Sequence, residues 1–323
     1  MPTYLVTGGA GFIGSHLVRF FLERGERVRV LDNFSTGKRE NLSEVEGRIE
    51  LVQGSLSSPK DIEAAVEGVD FVLHQAAIPS VPRSVEFPLE SHESNATGTL
   101  RLLRLAAEAG VRRLVYASSS SVYGANPTLP KVESMPTEPM SPYAVSKLSA
   151  EQYAGVFHRL YGLETVSLRY FNVFGPRQDP TSPYSGVVSR FIDAIASDSQ
   201  PTIHGDGEQT RDLTYVENVV RANFAATENP EAAGSVYNIG CATRVSVNEL
   251  WRVMAELSGS KLEPRYAPSR SGDVPHSLAD IGRARNDLGY EPAIDLREGL
   301  RRTLSYYGIL CDPAYDVAKD LRS

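Results

Sequence analysis

Tyr143 and Lys147 are the residues whose types and spacing could carry acid–base chemistry. Ser141 suits a helix N-cap and Pro142 suits the first helical position. Tyr143 then falls in the first turn, and Lys147 lies one turn later on the same face. A free tyrosine has a pKa of about 10, and a fixed neighbouring cation favours its phenolate form. The pair predicts a phenol that acts as a base near neutral pH, although a surface Tyr and Lys at helical spacing would give the same pattern.

A glycine-rich turn at the start of the chain predicts a dinucleotide-binding site. Gly8, Gly11 and Gly14 follow a short apolar strand, and apolar residues then recur at helical spacing. Gly8 and Gly11 would let the backbone approach a pyrophosphate at the helix N-terminus, and Gly14 would let the helix pack closely on the strand. A merely tight turn is the alternative. The next strand, however, ends in Asp32, close to where an acidic residue binds an adenosine ribose.

The charge at the end of this second strand favours NAD over NADP. The carboxylate of Asp32 would accept a hydrogen bond from a ribose 2′-hydroxyl, whereas it would repel a 2′-phosphate. Arg29 and Lys38 lie nearby in the sequence and keep NADP as an alternative. The sequence therefore predicts NAD as the cofactor.

Short apolar segments alternate with amphipathic helices through the first half of the chain. Strands are predicted at 28–31, 49–52, 71–74 and 113–117, and helices at 59–66 and 95–109. This alternation predicts the α/β class and a Rossmann-type, doubly wound parallel sheet. Ligands of such sheets bind at the carboxyl ends of the strands, so the glycine-rich turn, Asp32, the segment 75–77 and the serine run 118–121 should face one crevice. His74 is expected to be a buried, hydrogen-bonded imidazole.

The pattern changes after residue 174, where residues 175–215 are rich in Pro, Gly, Ser and Asp. We predict an NAD-binding domain over 1–174 and a smaller C-terminal α/β substrate lobe over 175–323. A piece near 212–240 is expected to return to the first domain. Two later helices carry capping boxes, Ser246 with Glu249 and Asp295 with Glu298.

Composition excludes several classes of partner. The net charge of −7 argues against a nucleic acid or an anionic membrane surface. The two cysteines allow no disulfide framework and no cysteine-based metal site, and no metal is expected. No apolar run is long enough for a signal peptide or a membrane span. The sequence therefore predicts a cytoplasmic protein that acts on a small ligand.

Taken together, these motifs resemble those of the extended short-chain dehydrogenase/reductase superfamily, and within it the nucleotide-sugar 4-epimerases. The resemblance runs from residue 3 to about residue 307 and depends on the motifs at 7–14, 32–33, 75–77, 118–124, 141–147, 169–175, 205–215 and 272–274. It implies that Tyr143 is the base and that Lys147 lowers its pKa and binds the nicotinamide ribose. It also implies that Ser119 shuttles the proton of the sugar 4-hydroxyl.

The same resemblance implies two further sets of contacts. The NAD set comprises Gly8, Gly11, Phe12, Ile13, Gly14, Asp32, Asn33, Ser55, Leu56, Gln75, Ala76, Ala77, Asn95, Tyr143, Lys147 and Tyr170. The substrate set comprises Ser80, Ser119, Ser120, Asn172, Gln178, Arg211, Arg270, Asp273 and Ser277. Arg211 and Arg270 would bind the diphosphate, although both could equally be solvated surface charges. Ser55 follows Gly54, where relatives usually place an Asp that holds the adenine amine.

Ser277 aligns with a position beside the sugar that resembles a size gate. A small residue there would leave room for a 2-N-acetyl group, although Ser277 could also be neutral packing. The expected substrates are therefore UDP-GlcNAc and UDP-GalNAc, with UDP-Glc and UDP-Gal as further substrates. The resemblance also implies a homodimer formed by the helices that start near Asn95 and Tyr143.

Ser120 and Ser121 limit which type of reaction is expected. Related dehydratases carry an Asp-Glu pair at these positions, and decarboxylating relatives also tend to need an acidic residue there. A serine cannot do that acid–base work, so epimerisation is expected. One alternative is a UDP-glucuronate-type 4-epimerase, with Arg83 as a candidate cation near C6. The other is a non-catalytic NAD-binding regulator, against which the intact Ser119, Tyr143 and Lys147 argue.

Overall fold

The computed structural model describes residues 1–180, 186–269 and 275–311. Its strands are β1 (Thr3–Thr7), β2 (Arg27–Asp32), β3 (Glu50–Gln53), β4 (Phe71–His74), β5 (Arg113–Ser119), β6 (Glu164–Tyr170), β7 (Val173–Phe174), β8 (Thr202–His204), β9 (Thr210–Arg211), β10 (Thr214–Tyr215), β11 (Ser235–Ile239), β12 (Val245–Ser246) and β13 (Arg265–Ala267). Its α-helices are α1 (Phe12–Glu23), α2 (Pro59–Val66), α3 (Val81–Glu86), α4 (Pro88–His92), α5 (Gly98–Glu108), α6 (Pro142–Tyr161), α7 (Val187–Ala196), α8 (Val216–Glu228), α9 (Val247–Ser258), α10 (Gly282–Leu288) and α11 (Leu296–Tyr306).

Seven strands form one parallel sheet in the order β3-β2-β1-β4-β5-β6-β11. The direction of winding reverses between β1 and β4, and a crevice opens at such a switch point along the carboxyl ends of the strands. In the β5–β6 register Ser119 stands opposite Tyr170, so the residues that follow both strands reach the same edge. The predicted fold class is confirmed.

Both faces of the sheet are covered, which explains why its strands are nearly continuous apolar runs. On one face Val6 and Phe21 belong to a core that includes residues of α1, α8 and α10. On the other face Leu5 and Ala150 belong to a core with residues of α2, α5 and α6. Successive residues of β1 therefore point to opposite layers, and all five of its residues are buried.

A third apolar core forms the C-terminal lobe. Phe191 on α7, Trp251 on α9 and Leu300 on α11 lie in it, beside the two-stranded pairs β7–β10, β8–β13 and β9–β12. Both capping boxes begin their helices: the side chain of Ser246 accepts the N–H of Glu249, and that of Asp295 accepts the N–H of Glu298.

The chain crosses between the lobes more than once. β11 pairs with β6 in the main sheet, and α8 packs against α1. The division at residue 174 stays a prediction. Within the described ranges, no helix is long and apolar enough to span a membrane.

Candidate active site

The glycine-rich turn between β1 and α1 is packed too closely for side chains. Gly8 has a φ of +68°, and a Cβ there would lie 2.8 Å from the backbone of Ala76. A Cβ on Gly14 would lie 2.1 Å from the carbonyl oxygen of Gly8. Gly11 is the N-cap of α1, and no side chain caps this helix. The turn therefore offers main-chain N–H groups at a helix N-terminus, as a pyrophosphate requires. Phe12 and Ile13 begin α1 and pack against the core of the C-terminal lobe.

Asp32 lies at the end of β2 with both carboxylate oxygens engaged by the backbone. Oδ2 accepts the N–H of Ala10 at 2.9 Å and Oδ1 accepts that of Phe34 at 2.8 Å. Burial raises the pKa of this carboxyl above its ordinary value, and the two N–H donors oppose that rise. The carboxylate thus ties the glycine-rich turn to the loop after β2, where Asn33 accepts the N–H of Ser35.

An acidic residue that the sequence analysis missed lies beside Ser55. The carboxylate of Asp61, in the first turn of α2, accepts the N–H of Ser55 at 2.9 Å. Gly54 is in contact with it, since a Cβ on Gly54 would lie 2.7 Å from Oδ2 of Asp61. Leu56 is buried in the core beneath. The only sequence signal was the position of Asp61 three residues after the N-cap Ser58.

Ser119, Tyr143 and Lys147 converge where β5 ends beside α6. Oγ of Ser119 accepts the N–H of Ser121 at 3.2 Å and its hydroxyl at 2.9 Å, and it is hydrogen-bonded to the Tyr143 phenol. Lys147 is buried, and its Nζ donates to the carbonyl oxygen of Ala117 at 2.6 Å. Ser120 opens the short 3₁₀ turn that follows Ser119.

Burial acts on the ionisation of both Tyr143 and Lys147, and the expectation that Lys147 lowers the pKa of Tyr143 stays a prediction. Burial raises the pKa of the phenol, and the hydrogen bond to Ser119 offsets only part of that rise. Burial also lowers the pKa of Lys147 to about 7. The ammonium donates to Ala117 and lies 4.9 Å from the ring centroid of Tyr116. For both groups the desolvation of the ionised form is the largest effect on the pKa.

Three predicted cofactor residues follow β4. Gln75, Ala76 and Ala77 are partly exposed along the crevice. The side-chain amide of Gln75 donates to the hydroxyl of Tyr170 at 3.2 Å and to Oδ1 of Asn223 at 3.2 Å. Asn223 on α8, which the sequence analysis also missed, donates to the same hydroxyl at 2.8 Å. Gln75 and Tyr170 therefore hold each other in place at the crevice.

Two buried polar residues behind the crevice have internal partners. Asn95 lies in a π-helical segment, Glu93–Thr97, and its Oδ1 accepts the N–H of Ile78 at 2.7 Å. Its amide donates to Ile78 and to Ser146, so it braces the segment after β4 against α6. His74 lies between the hydroxyls of Thr7 and Thr99, and burial lowers its pKa to about 3. A neutral, structural imidazole was expected at His74.

Asn172, Asp212 and Ser277 meet at the same edge, on the side of the C-terminal lobe. Nδ2 of Asn172 donates to the carbonyl oxygen of Asp212 and to Oγ of Ser277, both at 3.0 Å. Asp212 N–H also approaches Oγ of Ser277 at 3.3 Å. The Asp212 carboxylate accepts the N–H groups of Cys241 and Ala279, and burial raises its pKa to about 6. Asp212, which the sequence analysis did not single out, therefore fixes the segment that carries Ser277.

A cavity of about 270 Å³ opens beside this cluster. Its lining includes Asn172, Gln178, Arg190, Phe191, His204 and Arg211. Nη1 of Arg211 donates to the carbonyl oxygens of Thr210 and Pro275, at 2.9 and 3.0 Å. Oε1 of Gln178 is buried and accepts no hydrogen bond from the described residues. Cationic, aromatic and amide groups thus share one concave wall.

The remaining predicted substrate residues are not all at this wall. Ser80 is buried and caps α3, where its hydroxyl oxygen accepts the N–H of Arg83 at 3.1 Å. Arg270 and Asp273 lie outside the described residues.

Comparison with known proteins places these features in context. The model of the NAD dependent epimerase/dehydratase family matches residues 4–240. A putative UDP-glucose 4-epimerase of Methanocaldococcus jannaschii is 40% identical over 305 residues, which are 94% of this chain and 97% of the relative. A UDP-glucuronate 4-epimerase of Thermodesulfobacterium geofontis is 35% identical over 317 residues, covering 95% of this chain and 96% of the relative.

A solved structure is similar over the same span. The UDP-N-acetylglucosamine 4-epimerase of Methanobrevibacter ruminantium, in complex with UDP-N-acetylmuramic acid, superimposes with a TM-score of 0.91. It is 39% identical, and the match covers 95% of this chain and 98% of that chain.

Proposed function

The chain belongs to the NAD dependent epimerase/dehydratase family, and we propose that it interconverts UDP-GlcNAc and UDP-GalNAc, with UDP-Glc and UDP-Gal as further substrates. The matches make it an isomerase of the UDP-sugar 4-epimerase type with NAD as cofactor. The choice among UDP-sugars is the part that we propose, because its relatives act on different ones.

The residues present fit NAD. The turn from Gly8 to Gly14 has no room for a Cβ at its ends, so it leaves main-chain N–H groups for a pyrophosphate. Asp32 stands where an adenosine ribose would be bound, and Gln75 with Tyr170 borders the crevice. NAD supplies a reversible acceptor for the hydride of the sugar C4 when it is bound.

Tyr143 is the proposed base for the 4-hydroxyl of the sugar. Inversion at C4 requires that the 4-hydroxyl loses its proton while C4 loses a hydride. The proton then returns to the oxygen, and the hydride returns to the opposite face of C4. Ser119 is hydrogen-bonded to the phenol and is the proposed path for that proton. Lys147 lies one turn behind with a pKa of about 7, so its charged form is available near neutral pH. This cluster, with no carboxylate at Ser120 or Ser121, is the observation that carries the proposal.

Ser277 supports the preference for N-acetylated sugars. Its side chain is small, and its hydroxyl oxygen is held by Asn172 and Asp212 at the edge shared with the cavity. A residue of this size leaves space beside a sugar for a 2-N-acetyl group.

A glucuronate substrate is the second candidate, because a relative of that type is similar over nearly the whole chain. It would need a cation for the C6 carboxylate. Arg83, the candidate for that role, pairs with Glu90 at 2.6 Å. This pairing favours neutral sugars.

We also propose a homodimer in the cytoplasm. Val145, Tyr153 and Leu160 recur at two-turn spacing on α6 and are exposed, and Leu89 on the adjacent α4 is 84% exposed. A row of exposed apolar side chains on one helical face suits burial against a second copy.

The proposal is tested by incubating the purified protein with UDP-GlcNAc and following UDP-GalNAc without added reductant. Tyr143→Phe should lower turnover about 10²- to 10⁴-fold, because it removes the base, and the dinucleotide should stay bound. Tyr161→Phe is the control, since Tyr161 is an exposed tyrosine at the end of the same helix. Absence of turnover with every UDP-hexose would reject the function, and full activity of Tyr143→Phe would reject the base.

A further inference from the structure

We infer that Ser84 is a positioning residue for Tyr143, because its hydroxyl fixes the first turn of α6 against α3; this rests on the proposed function. Ser84 is fully buried in α3. Its Oγ accepts the main-chain N–H of Tyr143 at 3.0 Å and donates to the carbonyl oxygen of Val81 at 2.7 Å. The hydroxyl therefore links two helices that are 59 residues apart in the sequence at this contact.

The first turn of α6 explains why an outside acceptor is needed. The first N–H groups of a helix have no acceptor within it. Pro142 has no N–H, and Ser141 serves the third and fourth residues of the helix: its Oγ accepts the N–H of Ala144 and its carbonyl oxygen accepts that of Val145. The N–H of Tyr143 is left over, and Ser84 is its acceptor.

Tyr143 is consequently held at both ends by different elements. Ser84 on α3 fixes its main chain, and Ser119 at the end of β5 is hydrogen-bonded to its phenol. α3 begins just after the segment that follows β4, so the same contact joins the base to the wall of the crevice. Loss of the Ser84 hydroxyl would leave Ser141 alone to fix this turn. A displacement of about 1 Å at a catalytic group can cost about 10²-fold in rate.

Ser84→Ala tests the inference, with Ser91→Ala as the matched control. Ser91 is also fully buried, on α4, which packs against α6 as α3 does, and its Oγ has no hydrogen-bond partner among the described residues. We expect Ser84→Ala to lower kcat about 10- to 100-fold with KM changed less than about twofold. Ser91→Ala should leave both constants within about twofold, and Ser84→Thr, which keeps the hydroxyl, should recover most of kcat.

A second readout does not need turnover. The phenol of Tyr143 can be titrated by NMR in protein labelled with [¹³C]tyrosine, with its signal identified by Tyr143→Phe. The hydrogen bond to Ser119 lowers the pKa of this phenol, so a looser turn should raise it in Ser84→Ala and leave it unchanged in Ser91→Ala. The ionisable neighbours, Tyr116 on β5 and Lys147 on α6, are the same in both variants.

The outcomes distinguish a failure of the proposed function from a failure of the role inferred for Ser84. If the wild type epimerises a UDP-sugar and Ser84→Ala keeps its kcat and its Tyr143 titration, the inference is overturned and the function stands. If the wild type turns over no UDP-hexose, the function fails, and the titration still decides the inference. If Ser84→Ala does not fold, Ser84→Cys decides, because its thiol has nearly the same size but is a much weaker acceptor: a raised pKa of Tyr143 supports the role of the hydroxyl, and a wild-type titration overturns it.

Discussion

At the residue scale, burial governs the ionisation of Tyr143 and Lys147, the proposed catalytic pair. Burial raises the pKa of Tyr143 and lowers that of Lys147 to about 7, because each ionised form loses hydration when it is buried. For each group considered alone, burial therefore favours the neutral form. Keeping Lys147 charged therefore destabilises the folded protein.

Lys147→Met should change the pH dependence of stability. The pKa of Lys147 is lower in the folded protein than in the unfolded chain, so between about pH 7 and about pH 10 the unfolded chain binds more protons. The free-energy penalty for burying the charged lysine is fully present below about pH 7, and it decreases as the pH rises above that value. The variant should therefore be more stable than the wild type near pH 6, by up to about 4 kcal/mol, and this advantage should shrink towards pH 10.

Denaturant unfolding at a series of pH values measures this difference. Lys60→Met is the control, because Lys60 is exposed on α2. A stability difference between Lys147→Met and the wild type that is constant across the pH range would contradict the assignment.

At the element scale, two helix starts build the site in different ways. α1 begins at a turn that excludes side chains, with no side-chain cap. α6 begins with the donors of its first turn shared between Ser141 and Ser84. The first leaves N–H groups free for a ligand, and the second satisfies them so that Tyr143 is held still.

Gly14→Ala should disrupt the first of these helix starts. The new methyl would lie 2.1 Å from the carbonyl oxygen of Gly8 and 2.8 Å from Cα of Gly9, so the turn must move. We expect a loss of about 1–3 kcal/mol of stability and release of the bound dinucleotide. Thermal unfolding and the nucleotide content of the purified protein measure both effects.

Gly47→Ala is the matched control, because a Cβ at that position would meet no atom of the described residues within 4 Å. It should unfold and bind the dinucleotide as the wild type does. A Gly14→Ala protein that purifies with a full complement of dinucleotide would show that the turn tolerates a side chain.

At the scale of the whole molecule, the lobes are joined by polar contacts around the crevice. His16 on α1 is hydrogen-bonded to the carbonyl oxygen of Pro176 at 2.9 Å, and Lys38 pairs with Asp179 at 3.1 Å. The hydroxyl of Tyr307 donates to the carbonyl oxygen of Gln178. The segment after β7 therefore crosses from the C-terminal lobe to the glycine-rich turn.

Leu160→Glu should dissociate the proposed homodimer into monomers. Leu160 is 72% exposed, and burying a leucine contributes about 1.5–3 kcal/mol per copy, whereas a buried unpaired glutamate opposes association. Light scattering should give twice the chain mass for the wild type and the single mass for the variant. Tyr266→Glu, on β13 and away from α6, should remain dimeric, and a monomeric wild type would refute the proposal.

The sequence alone predicted what depends on local pattern. The alternation of apolar strands and helices gave the doubly wound parallel sheet, since burial on both faces requires such strands. The glycine spacing, the two capping boxes and the start of α6 at Ser141 are local features, and the structure has all of them. The fold and the start of α6, the helix of the proposed base, could therefore be predicted before any tertiary contact was known.

Only the tertiary structure decided what depends on burial and on distant contacts. The sequence shows a cation near Tyr143 but not the burial that raises the pKa of its phenol. The approach of Asp61 to Ser55, of Asn223 to Tyr170 and of Ser84 to Tyr143 also follows from the path of the chain. The hydrophobic periodicity of the sequence does not indicate such contacts, because they join elements that come together only in the folded chain. The sequence therefore predicted the proposed acid–base pair, whereas the folded structure determined the burial of the two residues and the contacts that support them.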